Sequence, residues 1–113
     1  MTYSIKAYPA FNRAIKQLGK KYHSIKNDYQ ALLEELKANP HAGVDLGHGI
    51  RKVRMKISSK GKGKSGGARV ITLLVSLSET EGEIGLHYIY DKSEKENISD
   101  TELQEILQKN GVL

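Results

Sequence analysis

The chain has no cysteine, which excludes disulfides and thiolate metal sites and leaves no hint of secretion. Its first residues, MTYSIKAYPAF, lack the apolar core of a signal peptide. No segment approaches the roughly 18 apolar residues of a membrane span, so a cytoplasmic protein with no membrane partner is expected. Internal repeats and low-complexity tails are also missing. At 113 residues the chain has room for one core, and a single domain over 1–113 is the reading. The sharpest deficit is local: between Arg51 and Arg69 there are eight basic residues and no acidic one.

That segment more than accounts for the net charge of +5 and the isoelectric point near 9.4. Concentrated positive charge is the footprint of a nucleic-acid backbone, an acidic protein partner or an anionic membrane. Here the cations alternate with apolar residues. In the strand expected over 50–58, a period of two puts Lys52, Arg54 and Lys56 on one face and Val53, Met55 and Ile57 on the other. One face joins the core, and the other presents a row of charge.

The remaining elements follow from spacing and punctuation. Residues 3–8 read as a short strand that Pro9 closes, and proline suits the start of the following helix. The stripe Phe11, Ile15, Leu18, Tyr22 marks that helix. A second, over 24–38, carries Ile25, Tyr29, Leu32, Leu33 and Leu36 and stops at Asn39-Pro40. Residues 41–49 read as loop. Further strands are expected over 68–78 and 84–91. Ser99 and Glu102 form a capping-box pattern, with Ile98 and Leu103 as a staple, at the start of a last helix. The fold class is α+β: an N-terminal helical hairpin on a mostly antiparallel four-stranded sheet, in the order β-α-α-β-β-β-α.

The string GKGKSGG suggests a phosphate loop, but position 58 is Ser where the nucleotide-binding pattern needs glycine, and a β-rich run follows instead of a helix. A flexible hairpin loop whose lysines touch phosphates is the plainer reading. His23, His41, His48 and His87 have no metal-ligand spacing, so no metal site is expected. A two-histidine nuclease would have to recruit distant residues such as His48 and His87. What remains is a site of Lys, Arg and Tyr. RNA cleavage by its own 2′-hydroxyl passes through a more negative, phosphorane-like state, which guanidinium and ammonium groups stabilise directly. A lysine among other cations has a lowered pKa and so exchanges protons. Lys52, Arg54, Arg69 and Lys92 are the candidate catalytic group; Lys56, Lys60, Lys62, Lys64 and Tyr90 are the candidate RNA contacts. Tyr88 and Tyr90 share a strand face, where base stacking and core packing are both open roles.

Four stretches together resemble the RelE/ParE superfamily of type II toxin–antitoxin toxins, closest to the RelE/HigB-like branch. They are FNRAIKQLGKKY (11–22), LKANPHAG (36–43), KVRMKISSKGKGKSGGARVI (52–71) and IYDKSEKENIS (89–99). The resemblance implies a RelE-like fold and an mRNA interferase that cleaves messages in the ribosomal A site without a metal or cofactor. It also implies a cognate antitoxin as partner. Basic residues of the family's second strand correspond to Lys52 and Arg54, the arginine opening the next strand to Arg69, and a basic residue after the last strand to Lys92. The family's C-terminal tyrosine has no counterpart in 93–99, and Tyr90 is the nearest substitute.

Two other classes stay open beside the endoribonuclease: a ParE-like inhibitor of DNA gyrase, and a basic RNA- or ribosome-binding module without chemistry. For the antitoxin, an acidic segment that folds over the basic face and the 60–64 loop is expected, with docking on the helices as the alternative.

Overall fold

The computed structural model describes residues 1–61, 63 and 66–113. Strand β1 (Thr2–Ala7) passes through Tyr8 into α1 (Pro9–Lys21), where Pro9 takes the first position and its missing N–H costs no hydrogen bond. A tight connection leads to α2 (Ile25–Ala38). Strands β2 (Val44–Gly47), β3 (Ile50–Met55), β4 (Ala68–Ser76) and β5 (Glu81–Asp91) follow, with a 3₁₀ turn at Ser58–Lys60, and α3 (Asp100–Lys109) ends the order. The sheet runs β1-β5-β4-β3-β2; β1 lies parallel to β5, and the other pairs are antiparallel.

Among the described residues the sheet therefore has five strands, not four. Residues 44–47, expected as loop, pair with β3 through Val44↔Lys52 and Asp45↔Arg51. All four residues of β2 are exposed, so no buried face imposed the alternation that reveals a strand. Its punctuation is nevertheless structural. Gly43, Gly47 and Gly49 have φ of 95°, 90° and 81°, and His48 has φ of 54°. A Cβ on Gly43 would stand 2.4 Å from the Lys52 carbonyl oxygen, so glycine permits both the turn and the close approach.

The two faces of the sheet carry different helices. Phe11 and Leu18 of α1 with Ile25, Leu32 and Leu36 of α2 pack on Val53, Val70, Ile84, Leu86 and Ile89. On the opposite face α3 and its approach pack Ile98 and Leu103 against Ile71 and Tyr90. The capping box forms as expected: Glu102 N–H donates to Ser99 Oγ at 3.1 Å, and Ser99 N–H donates to Glu102 Oε1 at 3.3 Å. A bulge between Ile71 and Thr72 skips His87 in the β4–β5 register and returns Tyr88 and Tyr90 to the α3 face. No described helix is long and apolar enough to cross a membrane.

Candidate nucleic-acid interface

Cross-strand register assembles the cations. Arg54 on β3 faces Arg69 on β4, and Arg69 faces Tyr90 on β5; the next row is Lys52, Ile71, Tyr88. Directly opposed residues have Cβ atoms about 5 Å apart, so the two arginines are neighbours and their charges repel. Beyond this row Gly67 lies between Lys56 and Lys92. Its Cα would carry a Cβ only 3.2 Å from Lys56 Cα, and its carbonyl accepts the Lys92 N–H at 3.1 Å. Lys52 and Lys92 thus flank the arginine row diagonally. Neither cross-strand row contains an acidic residue.

The β3 alternation is as expected, with Val53 and Met55 buried and Arg54 and Lys56 exposed. Among the described residues, the side chains of Arg54, Lys56 and Lys92 make no hydrogen bond or ion pair, whereas Lys52 Nζ donates to Asn97 Oδ1 at 3.2 Å. Arg69 is only 4% exposed and donates from Nη1 to the Ala68 carbonyl at 3.1 Å. Burial lowers its pKa, the Arg54 charge lowers it further, and Tyr90 opposes both. Like charges directly opposite each other on adjacent strands disfavour each other.

Tyr90 is buried, with no partner for its hydroxyl among the described residues. Its ring lies 6.3 Å from that of half-buried Tyr88 at a 31° tilt. Core packing accounts for Tyr90 in this state, and Tyr88 keeps the more accessible ring: it floors a groove of about 470 Å³ between α1 and α3. Lys62 and Lys64 lie outside the described residues.

Lys60 has a different setting from the other candidates. Its side chain is 9% exposed, and Nζ donates to Asp91 Oδ1 at 2.7 Å and to Ser93 Oγ at 3.2 Å. Asp91 had not been singled out, yet its fully buried carboxylate also accepts from Tyr22 Oη at 2.6 Å and from Ser93 N and Oγ at 2.9 and 2.7 Å. Burial alone would raise its pKa; the hydrogen bonds from Lys60, Tyr22 and Ser93 outweigh that and hold it well below the usual carboxylate range. The available signal was the Asp-x-Ser step at a strand end, which favours an Asx turn. Asp28 was missed likewise: buried in α2, it accepts from Ser24 Oγ, Ser58 N and Ser58 Oγ.

The histidines stand apart from the cation row. His48 is exposed in the β2–β3 turn, and His87 is buried, with burial pushing its pKa down to about 4. Among the described residues no cluster of three His, Asp or Glu side chains is placed to hold a metal ion.

A helical hairpin behind a mixed sheet, with arginines paired across its other face, defines a small basic α+β module. The chain belongs to the RelE toxin family: the family model described as RelE toxin of RelE / RelB toxin-antitoxin system matches residues 11–112. It is the toxin of a toxin–antitoxin system, whose partner is a cognate antitoxin. A comparison with curated proteins gives no match.

Proposed function

We propose that this toxin is a ribosome-dependent endoribonuclease that cuts messenger RNA and so blocks translation. The observation that carries the reading is the Arg54–Arg69 pair, two like charges on adjacent strands, with Lys52 two residues before Arg54 and Lys92 bonded through its N–H to Gly67, two residues before Arg69. In the reaction the 2′ oxygen forms a bond to phosphorus and the bond from phosphorus to the 5′ oxygen breaks. One proton leaves the 2′-hydroxyl and one reaches the 5′ oxygen, giving a 2′,3′-cyclic phosphate and a 5′-hydroxyl. Arg54 and Arg69 hold the charge that builds on the phosphoryl oxygens, a contribution of about 3 kcal/mol per donor. Lys52 and Lys92 are the adjacent groups for proton exchange. Lys56, with Lys62 and Lys64 of the loop, tracks the flanking phosphates, and the Tyr88 ring offers a stacking platform.

The ribosome supplies the geometry of the substrate, so naked RNA is a poor one. The antitoxin neutralises the same cations with an acidic segment that folds onto the basic face. Purified toxin mixed with ribosomes programmed with a message tests the reading. Cleavage on the ribosome, little on the same RNA alone, and loss of cleavage in Arg69→Ala with binding kept are expected. Intact RNA under all conditions would overturn it.

A further inference from the structure

The segment Ser58–Lys60 precedes the basic stretch of sequence that holds Lys62 and Lys64, and every one of its residues is fastened to another element. Ser58 donates from N and Oγ to buried Asp28 of α2, at 2.9 and 2.5 Å. Ser59 N–H donates to Ser24 Oγ at 2.9 Å. Lys60 reaches Asp91 at the end of β5, with its ammonium 5.4 Å from the centre of the Tyr22 ring. Gly67, on the far side of that stretch in sequence, is equally fixed. Gly67 sits so close to β3 that a Cβ would come 2.2 Å from the Met55 carbonyl oxygen, and its own carbonyl holds Lys92 N–H. Asp91 stands directly opposite Ala68, the residue before Arg69 and the one after Gly67.

Asp91 therefore ties four pieces of chain: its carboxylate holds the C-terminal end of α1, the turn at Ser58–Lys60 and the turn that carries Lys92, and its backbone pairs with the strand that delivers Arg69. We infer that Asp91, with Lys60 and Tyr22, is a positioning latch for the cation site. It does not touch RNA; it sets where Arg69 and Lys92 stand relative to each other. Lys60 then belongs to the latch and not to the RNA-binding surface. This inference rests on the cleavage reading for its effect on rate, but not for its effect on local order. A displacement of about 1 Å at a site that works by positioning costs on the order of 100-fold in rate, so loosening the latch should slow chemistry without weakening attachment.

The test uses Lys60→Met, Asp91→Asn and the milder Tyr22→Phe, which removes one hydrogen bond and leaves the Lys60–Asp91 ion pair. Three quantities are read: the single-turnover cleavage rate with toxin saturating the ribosome–message complex, the Kd for that complex with its salt dependence, and amide hydrogen exchange in the free protein. Lys60→Met should lower the saturated rate by about 10- to 100-fold, with Kd within about twofold and an unchanged salt slope. Amides at Ser59, Lys60, Lys92 and Ser93 should exchange faster, and Tyr22→Phe should show a smaller effect of the same kind. Lys60→Met combined with Asp91→Asn should lose little more than the worse single variant, because both break one unit. A raised Kd with a shallower salt slope and an unchanged saturated rate would make Lys60 an RNA ligand and overturn the latch. Unchanged rate and unchanged exchange would also overturn it. Should the wild type cut no message, the cleavage reading falls by itself, and the exchange results still uphold or refute the latch. If Lys60→Met or Asp91→Asn does not fold, Tyr22→Phe carries the comparison.

Discussion

His87 gives the fold a specific sensitivity to acid. Its ring is 1% exposed and stacks on Tyr8 with centroids 4.2 Å apart. Asn110 Nδ2 lies 3.0 Å from His87 Nδ1 and also donates to the His87 carbonyl, while Asn110 Oδ1 accepts the Ala10 N–H at 2.9 Å. An amide donor at Nδ1 requires the neutral ring with its proton on Nε2, and burial pushes the pKa down from 6.5 to about 4 although the Glu83 charge opposes it. Between those two values the unfolded chain binds a proton at this position that the folded chain does not. Unfolding free energy therefore falls as pH drops from about 6.5 to about 4, by roughly 3 kcal/mol at the lower end. Urea unfolding at pH 7, 6, 5 and 4.5 measures it. His87→Gln cannot titrate; it should be less stable at pH 7 through loss of the stack, and its deficit should shrink steadily as pH falls. Asp91 has a depressed pKa, so its contribution is present above the unfolded carboxylate range and is lost below it, at lower pH and in both proteins alike. Parallel stability curves for wild type and His87→Gln between pH 7 and 4.5 would refute the reasoning.

Gly67→Ala should cost about 1–3 kcal/mol by thermal or urea unfolding, because the new methyl meets the Met55 carbonyl oxygen and backbone must move. Ser99→Ala removes the cap that accepts Glu102 N–H and should cost about 1 kcal/mol by the same measurement. Tyr90→Phe removes a buried hydroxyl that has no partner among the described residues, so stability should stay level or rise by about 1 kcal/mol.

Features that repeat along the chain could be read in advance. The Lys52–Arg54–Lys56 alternation, the Phe11–Tyr22 stripe and the S-x-x-E box each specify a face or an end by local spacing, and each is found in place. Strand β2 could not be read, because pairing along an exposed edge needs no hydrophobic period. The latch was equally hidden. Lys60 looks in sequence like one more loop cation, and only the approach of Asp91, 31 residues away, turns it inward. Arg69 illustrates the same limit: its position at the start of β4 was legible, but its burial beside Arg54 depends on register and on α3 packing over that face. The bulge that brings Tyr88 and Tyr90 onto that face at His87 has no periodic signature either.

Ribosome-dependent cleavage by the cation row is the central claim, and transcript ends in growing cells test it most directly. The toxin and its Arg69→Ala variant are expressed beside one message in two forms, translated and with its start codon removed. New 5′-hydroxyl ends inside the translated frame, none in the untranslated form, and at least about a 100-fold loss of ends in Arg69→Ala at equal folded protein are expected. Intact messages accompanied by gyrase-linked DNA breaks, or undiminished cutting by Arg69→Ala, would contradict it.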